Sequence, residues 1–370
     1  MSVEHRDAPP QKPDTASPVD TVAQLLARLR HRVQQKLEPA DATDAEQDDA
    51  ARSTSVPTRG WQVVASKELA DHLLSVRFIV LLLLVGLAAA GSVYAAASGI
   101  RDVASEASGT SALYLRLFTV APERFPSFFA LIGFLAPLLG VAFGFDAING
   151  ERAQGTLPRL LSQPIHRDDV INGKFVAGLT IIALMLVALT LFVSGIGLVR
   201  LGIVPTLGEV GRLIAWLVVA IVYVGFWLAF ATLCSVGLRR AATSALVAIA
   251  AWLVLTLFAT LLVGLVADVL APAGANATGN EVLANASLQQ TLSRLSPTTL
   301  YQEATVVLLN PEVRTVGFVL PQQVDQAIRS ELAFDQSLLL VWPQVVGLVA
   351  LTVGCFVAAY LLFLRQEIRA

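Results

Sequence analysis

Charged residues are scarce in this chain of 370 residues. Asp, Glu, Lys and Arg make up 15% of it and apolar residues 55%, whereas a soluble globular domain carries about 25% charged residues. The formal net charge is −2, so the sequence offers no basic surface of the kind that binds nucleic acid. The composition therefore argues against a nucleic-acid partner and favours a protein embedded in membrane lipid.

Residues that perform catalysis or bind metals are also few. The two cysteines, Cys234 and Cys355, both lie in apolar runs, and no Cys/His cluster has the spacing of a zinc site. The sequence contains no GxxxxGK[ST] phosphate loop, no GxSxG nucleophile motif and no HExxH pair. We therefore predict no catalytic residue, no metal site and no cofactor bound by this chain.

Long apolar runs are what the sequence does contain. Crossing about 30 Å of hydrocarbon takes about 20 helical residues, and the predicted spans are residues 78–98, 127–145, 175–199, 213–236, 243–267 and 338–364. Their central stretches contain no Asp, Glu, Lys, Arg or His, groups that ion-coupled transporters usually keep at mid-membrane. The expected fold is all-α, a six-span membrane protein that is not driven by an ion gradient bound within this chain.

Lysine and arginine are enriched at one set of span ends. They occur before the first span, in the loop between the second and third spans, in the turn between the fourth and fifth, and after the last. Because cytoplasmic loops carry an excess of these residues, we predict that both termini and the loop between the second and third spans lie in the cytoplasm.

The N-terminal part of the chain divides into two predicted segments. Residues 1–58 form a cytoplasmic extension with a proline-bearing disordered stretch, a helix over residues 19–38 and an acidic linker; that helix could lie on the membrane, on a partner or in solvent. Residues 59–370 form the membrane domain. It opens with an amphipathic helix predicted to lie along the headgroups. Its apolar side is Trp61, Val64, Leu69 and Leu73, and its polar side is Lys67, Glu68 and Asp71.

The predicted external loop, residues 268–337, is the largest. Pro297 is placed to start a short helix, and a second helix is expected from Pro321 into the last span. Its size makes it a candidate contact for an external partner.

The loop between the second and third spans has an unusual pattern, "FDAINGERAQGTLPRLLSQPIHRDDVINGKF". The helix of the second span is expected to continue to Glu151, after which Gly150 and Gly155 allow a turn. Thr156 is a candidate N-cap for a short helix with three leucines on one face, Pro164 ends it, and Asp168 or Asp169 caps the next helix. A helix of about two turns is unstable alone, so its leucines need cover from headgroups or from a protein groove.

The same residues carry a family resemblance. The loop resembles that of ABC transporter permeases of the type-2 exporter class, whose pattern is E-x-x-x-G-T, then L-L-S-x-P and an arginine, then G-K. The matching residues are Glu151, Gly155, Thr156, Leu157, Leu160, Leu161, Ser162, Pro164, Arg167, Gly173 and Lys174. The resemblance covers residues 60–370 and is particularly to the branch with the permease of nitrous-oxide-reductase maturation transporters.

The resemblance implies how such a chain would work. The short leucine-bearing helix would be a coupling helix that docks in a groove of a separate cytoplasmic ATPase, which would bind ATP and Mg. Two ATPase copies and a permease homodimer would make one exporter in a bacterial or archaeal plasma membrane, and this chain would not itself be an enzyme.

Two other functions remain open at this point. The chain could be a non-transporting scaffold that carries ATP-driven motion to an outer partner through residues 268–337. A channel or secondary transporter is the third possibility, and the uncharged spans argue against it.

The coupling-helix hypothesis predicts the effect of a double substitution. Leu160→Asp with Leu161→Asp should abolish co-purification with the ATPase, because burying carboxylates in an apolar groove costs several kcal/mol. Deleting residues 1–55, which lie outside the resemblance, is the control and should leave co-purification intact. Normal recovery of the ATPase with the double variant would contradict the hypothesis.

Overall fold

The computed structural model describes residues 60–106, 112–121, 126–156, 166–202, 204–274, 277–313 and 332–366. Within these residues every regular element is helical, which confirms the all-α prediction. Six helices are long and apolar enough to cross a membrane. We number them span 1 (Val76–Glu106), span 2 (Phe128–Gly144), span 3 (Arg167–Leu201), span 4 (Leu207–Gly237), span 5 (Ala241–Leu270) and span 6 (Phe334–Arg365).

Five shorter helices complete the described fold. They are α1 (Gly60–Leu73), α2 (Leu113–Thr119), α3 (Asn149–Ala153), α4 (Gly279–Ser293) and α5 (Pro297–Leu309). We call the end of the bundle with α1 and α3 the loop end. The end with α2 is called the hairpin end, after the hairpin formed by α4 and α5. The proposed helices over residues 19–38 and from Pro321 lie wholly or mainly outside the described residues, and span 6 itself begins at Phe334.

Span 4 is the centre of the bundle and packs against spans 2, 3 and 6 and against α5. Its contact with span 2 is close because two glycines of span 2 face it. A Cβ at Gly140 would lie 2.6 Å from the Val224 carbonyl oxygen, and one at Gly144 would lie 2.8 Å from that of Leu228. Small residues four apart let two membrane helices approach to backbone contact, so spans 2 and 4 are joined over the half nearer the loop end.

Helices α4 and α5 form a hairpin that turns back among the spans. Helix α4 packs along the second half of span 5, and the Ser296 hydroxyl at the hairpin turn donates to the Leu255 carbonyl oxygen, 3.4 Å away near the middle of span 5. Pro297 is in the first turn of α5, as the sequence predicts. The predicted external loop therefore contains helices, and its two described helices extend inward because α5 has a broad apolar face.

The hairpin carries an ion pair that contacts span 6. Arg294 Nε lies 3.0 Å from a carboxylate oxygen of Glu303, and Gln344 Nε2 of span 6 donates to the same carboxylate over 2.9 Å. These contacts satisfy the carboxylate and tie α5 to span 6. The cluster was not predicted from the sequence, because residues 268–337 read as a loop outside the lipid.

Helix α2 was not predicted from the sequence. Phe118 of α2 packs on Phe128 of span 2 and on Trp216 of span 4, with ring centroids 5.5 and 6.3 Å apart. The Tyr114 amide donates to the carboxylate of Glu209, which also accepts from Thr206 at the start of span 4. The run "LYLRLFT" is too short to cross a membrane, and its apolar residues instead close the hairpin end of the core.

The close contact between spans 2 and 4 generates a stability prediction. Gly140→Ala should lower the Tm of the purified chain in detergent, because the new methyl group would overlap span 4 backbone that cannot move independently. Gly195→Ala in span 3 is the matched control, since a Cβ there meets nothing within 4 Å. An unchanged Tm for Gly140→Ala would contradict the close packing.

Candidate functional site

The amphipathic helix α1 packs against span 3 at the loop end. A Cβ at Gly173 would lie 2.7 Å from the Val64 Cβ and 2.8 Å from the Trp61 carbonyl oxygen, and Val64 is buried in this contact. Glycine is therefore required at position 173 by the approach of α1. The contact places the side chains of the residue that follows, Lys174, and of α1 next to each other.

Lys174 is the centre of a buried ion-pair cluster. Its Nζ lies 2.8 Å from Glu68 Oε1 of α1 and 3.2 Å from Glu151 Oε1 of α3, and its side chain is only 6% exposed. Both carboxylates are also largely buried. The sequence places Glu68 on the polar side of α1, and span 3 supplies a cation to that side.

Glu151 has a second partner on the loop itself. The Thr156 hydroxyl donates to Glu151 Oε2 over 2.5 Å, and the Thr156 amide donates to the Glu151 carbonyl oxygen over 3.0 Å. Gly155 makes this turn possible with a φ of +68°, a conformation that favours glycine. The first arm of the loop is thus folded back on Glu151, which is held by Lys174.

A serine of span 4 holds the start of α3. The Ser235 hydroxyl oxygen accepts from the amides of Ile148 and Asn149, at 3.0 and 3.1 Å. These contacts supply an acceptor where a turn over residues 145–148 interrupts the helix, so the expected continuous helix to Glu151 is corrected to a turn followed by α3. Beside the turn, Arg77 of span 1 lies 2.5 Å from a carboxylate oxygen of Asp146.

The second anchoring group is centred on Gln366, just after span 6. Arg152 Nη2 donates to Gln366 Oε1 over 2.5 Å, and Arg167 Nη1 donates to its carbonyl oxygen over 3.3 Å. The side-chain amide nitrogen Nε2 of Gln366 donates to the Val236 carbonyl oxygen over 2.7 Å. One residue therefore links both arms of the loop to the ends of spans 4 and 6.

Some of the predicted site residues are described by the structure and others are not. The structure brings Glu151, Thr156 and Lys174 together, and Arg167 joins the group at Gln366, while Asp169 rather than Asp168 accepts from the His166 amide at the start of span 3. Leu157, Leu160, Leu161 and Pro164 lie outside the described residues. The site residues that the sequence did not predict are Glu68, Arg152, Ser235 and Gln366.

This arrangement ties both arms of the loop to the helix bundle. Among the described residues no group of three or more His, Cys, Asp and Glu side chains is placed to hold a metal ion. Burial lowers the pKa of His72 of α1, although nearby Glu68 acts in the opposite direction. His72 is therefore neutral at physiological pH and packs its ring against Phe143.

The cluster around Lys174 generates a stability prediction. Lys174→Met should lower the free energy of unfolding by about 3 kcal/mol, because two buried carboxylates would lose their shared cation. Adding Glu68→Gln should restore part of the loss, since it removes one of the two repelling charges. Thermal unfolding of the three proteins in detergent tests this, and equal Tm values for wild type and Lys174→Met would contradict the burial of the pair.

Comparison with known proteins gives these contacts a family context. Residues 62–368 match the model of the ABC-2 family transporter protein. The chain is 34% identical over 151 residues to a protein of Stutzerimonas stutzeri named "Probable ABC transporter permease protein NosY", a match to 37% of this chain and 48% of that protein. The corresponding protein of Pseudomonas aeruginosa is 33% identical over 121 residues, 33% of this chain and 39% of its own length.

The chain thus aligns with about half the length, or less, of these relatives, whereas the family match extends over nearly all of the membrane domain. The anchored loop, six apolar helices and this match agree: the chain is a multi-pass plasma-membrane protein and belongs to the ABC-2 family of ABC transporter permeases.

Proposed function

We propose that this chain is the membrane-spanning subunit of an ATP-driven exporter. A separate ATPase docks on the loop between spans 2 and 3, in the cytoplasm together with both chain termini. The observation that carries the proposal is the anchoring of both arms of this loop. Glu151 and Thr156 hold one arm to Lys174, and Arg152 and Arg167 link the arms to Gln366.

Such anchoring suits a loop that receives force. A push on residues 157–165 would act on both arms, and each arm is bonded to elements of the bundle rather than only to solvent. The contacts reach α1 through Glu68, span 3 through Lys174, and span 4 through Ser235. Closure of an ATPase dimer on ATP would thus tilt several spans together, as alternation between two packed states requires.

The family match supports the proposed assembly. Two copies of this chain and two ATPase subunits would form the transporter, with ATP and Mg held by the ATPase and no cofactor held by this chain. The uncharged centres of the spans suit apolar cargo.

Co-purification tests the proposal directly. The chain and the ATPase encoded beside it should purify as one complex that hydrolyses ATP, and the permease alone should not hydrolyse ATP. Hydrolysis by the permease alone, or failure of the two proteins to associate when both are folded, would overturn the proposal.

The second candidate is a membrane scaffold that transmits ATP-driven motion to an outer partner. It would use residues 268–337 as the contact, and the closing of the hairpin end by α2 gives that end a surface on which a partner could act. The inward course of α4 and α5 favours the exporter, because these helices pack among the spans. Accumulation of any ATP-dependent cargo in proteoliposomes, identified by mass spectrometry, would exclude the scaffold.

Glu151→Ala provides a functional prediction. Expression and ATPase binding should persist, whereas transport per ATP hydrolysed should fall, because the first arm of the loop loses its bond to Lys174. Arg167→Ala should act in the same direction but more weakly, since Arg152 also holds Gln366. The measurement is hydrolysis and cargo accumulation in the same proteoliposomes.

Asp71→Ala is the matched control for Glu151→Ala. Asp71 is an acid on α1 whose side chain is 63% exposed, and its loss should leave the ratio of transport to hydrolysis unchanged. If Glu151→Ala also keeps the wild-type ratio, Glu151 is not part of the coupling path.

A further inference from the structure

Pro137 lies inside span 2 and leaves one backbone carbonyl without its regular partner. In an α-helix the amide of residue i donates to the carbonyl of residue i−4, and proline has no amide hydrogen. The affected carbonyl is that of Gly133, which lies in the buried face of span 2. A carbonyl left unpaired in an apolar interior is destabilising, so another donor is needed at this point.

Span 4 supplies that donor. The hydroxyl of Tyr223, a fully buried residue near the middle of span 4, donates to the Gly133 carbonyl oxygen over 3.0 Å. The same hydroxyl lies 3.3 Å from the hydroxyl oxygen of Thr298 in the first turn of α5. A single phenol therefore connects span 2, span 4 and the hairpin.

Tyr301 of α5 reinforces this junction. Its ring stacks on the Tyr223 ring, with centroids 4.5 Å apart and an interplanar angle of 13°. A Cβ at Gly133 would lie 3.0 Å from Tyr301 Cε1, so the absence of a side chain at position 133 lets the ring approach span 2. The Tyr301 hydroxyl also donates to the Phe129 carbonyl oxygen, 3.4 Å away.

The junction continues the contact between spans 2 and 4 that begins at the loop end. Nearest the loop, Ser235 of span 4 holds the start of α3; next along span 2 come the close contacts at Gly144 and Gly140; then comes the junction at Gly133. The hairpin is joined to the same body at Tyr301. These contacts form an unbroken path from the loop to α5.

We propose that Tyr223 is a positioning residue that fastens span 2 and the hairpin helix α5 to span 4, by occupying the carbonyl that Pro137 leaves open. Movement imposed at the loop end then reaches the hairpin as the displacement of one body. The source of that movement rests on the proposed function, whereas the fastening is a property of the chain alone.

A double-mutant cycle tests the fastening. Pro137→Ala supplies an amide that can bond to the Gly133 carbonyl, so that carbonyl no longer depends on Tyr223. Tyr223→Phe, which removes only the hydroxyl, should then lower the Tm in detergent by several degrees in the wild-type background and by much less in the Pro137→Ala background. Equal losses of Tm in the two backgrounds would overturn the proposal, because they would mean that the hydroxyl is not serving the carbonyl freed by proline.

A second measurement separates positioning from stability. A cysteine introduced at Val282 of α4, which is 46% exposed, would report on the hairpin after replacement of Cys234 and Cys355 by alanine. With the complete complex in nanodiscs, its rate of reaction with a polar maleimide is compared without nucleotide and with ATP plus vanadate. The wild-type background should show a nucleotide-dependent rate. Tyr223→Phe should lose most of that dependence while ATP hydrolysis continues.

The double variant Tyr223→Phe/Pro137→Ala is decisive. Its Tm should rise above that of Tyr223→Phe alone, because the Gly133 carbonyl is then satisfied within span 2. The nucleotide dependence of the reaction at Val282→Cys should not return, because the link from span 2 to span 4 is still missing. Recovery of both would overturn the positioning role and leave only a structural one. If the ATPase associates but the wild-type background shows no nucleotide dependence, movement is not transmitted from the loop to the hairpin, and that part of the proposal is overturned. If the ATPase does not associate, the proposed function is overturned, and the double-mutant cycle of Tm values alone decides whether Tyr223 fastens span 2 to span 4.

Discussion

The ammonium group of Lys174 is the contact on which the loop end depends. Without it, the carboxylates of Glu68 and Glu151 would face one another in a largely buried site, and mutual repulsion would separate α1 from α3. The ion pair also fixes the turn at Gly155, because Thr156 bonds to the carboxylate that Lys174 holds. One cation at the start of span 3 therefore organises three segments distant in sequence.

The close approach of spans 2 and 4 is the corresponding constraint in the apolar interior. Lipid provides little hydrophobic drive for helices to associate, so membrane helices rely on backbone proximity and on buried hydrogen bonds. Gly140 and Gly144 provide the first, and Ser235 and Tyr223 provide the second. The hairpin uses the same means: α5 bonds to span 6 through its own glutamate and stacks an aromatic ring against span 4.

These two constraints can be related to what a permease of this family must do. A permease driven by a separate ATPase needs a place to receive force and a stiff element to carry it. Under the proposed function, the anchored loop arms would meet the first need, and the joined spans 2 and 4 would meet the second. Among the charged residues of the hairpin, Arg294 is paired with Glu303, and Glu303 also accepts from Gln344 of span 6, which agrees with a structural role for this pair.

Much of the fold could be predicted from the sequence. Six apolar runs, the amphipathic helix before span 1 and the helix after Pro297 are all determined by local residue patterns, because hydrocarbon requires every spanning backbone to satisfy its own hydrogen bonds as a helix. Part of the site could also be predicted. Glu151, Thr156 and Lys174 belong to the sequence motif of the loop between spans 2 and 3, and the positive φ of Gly155 agrees with the turn predicted there.

Tertiary structure alone decided which polar groups meet. Helical periodicity describes a helix in isolation and places Glu68 only on the polar side of α1, whereas span 3 approaches α1 over Gly173 and brings a lysine to that side. The inward course of the hairpin, the packing of α2 and the bonds to Gln366 also join residues up to 214 positions apart. The sequence by itself determined the six spans, the helix before span 1, the helix after Pro297 and their apolar character, which are local properties. Their pairing depends on backbone distances and buried partners that arise only when distant segments pack.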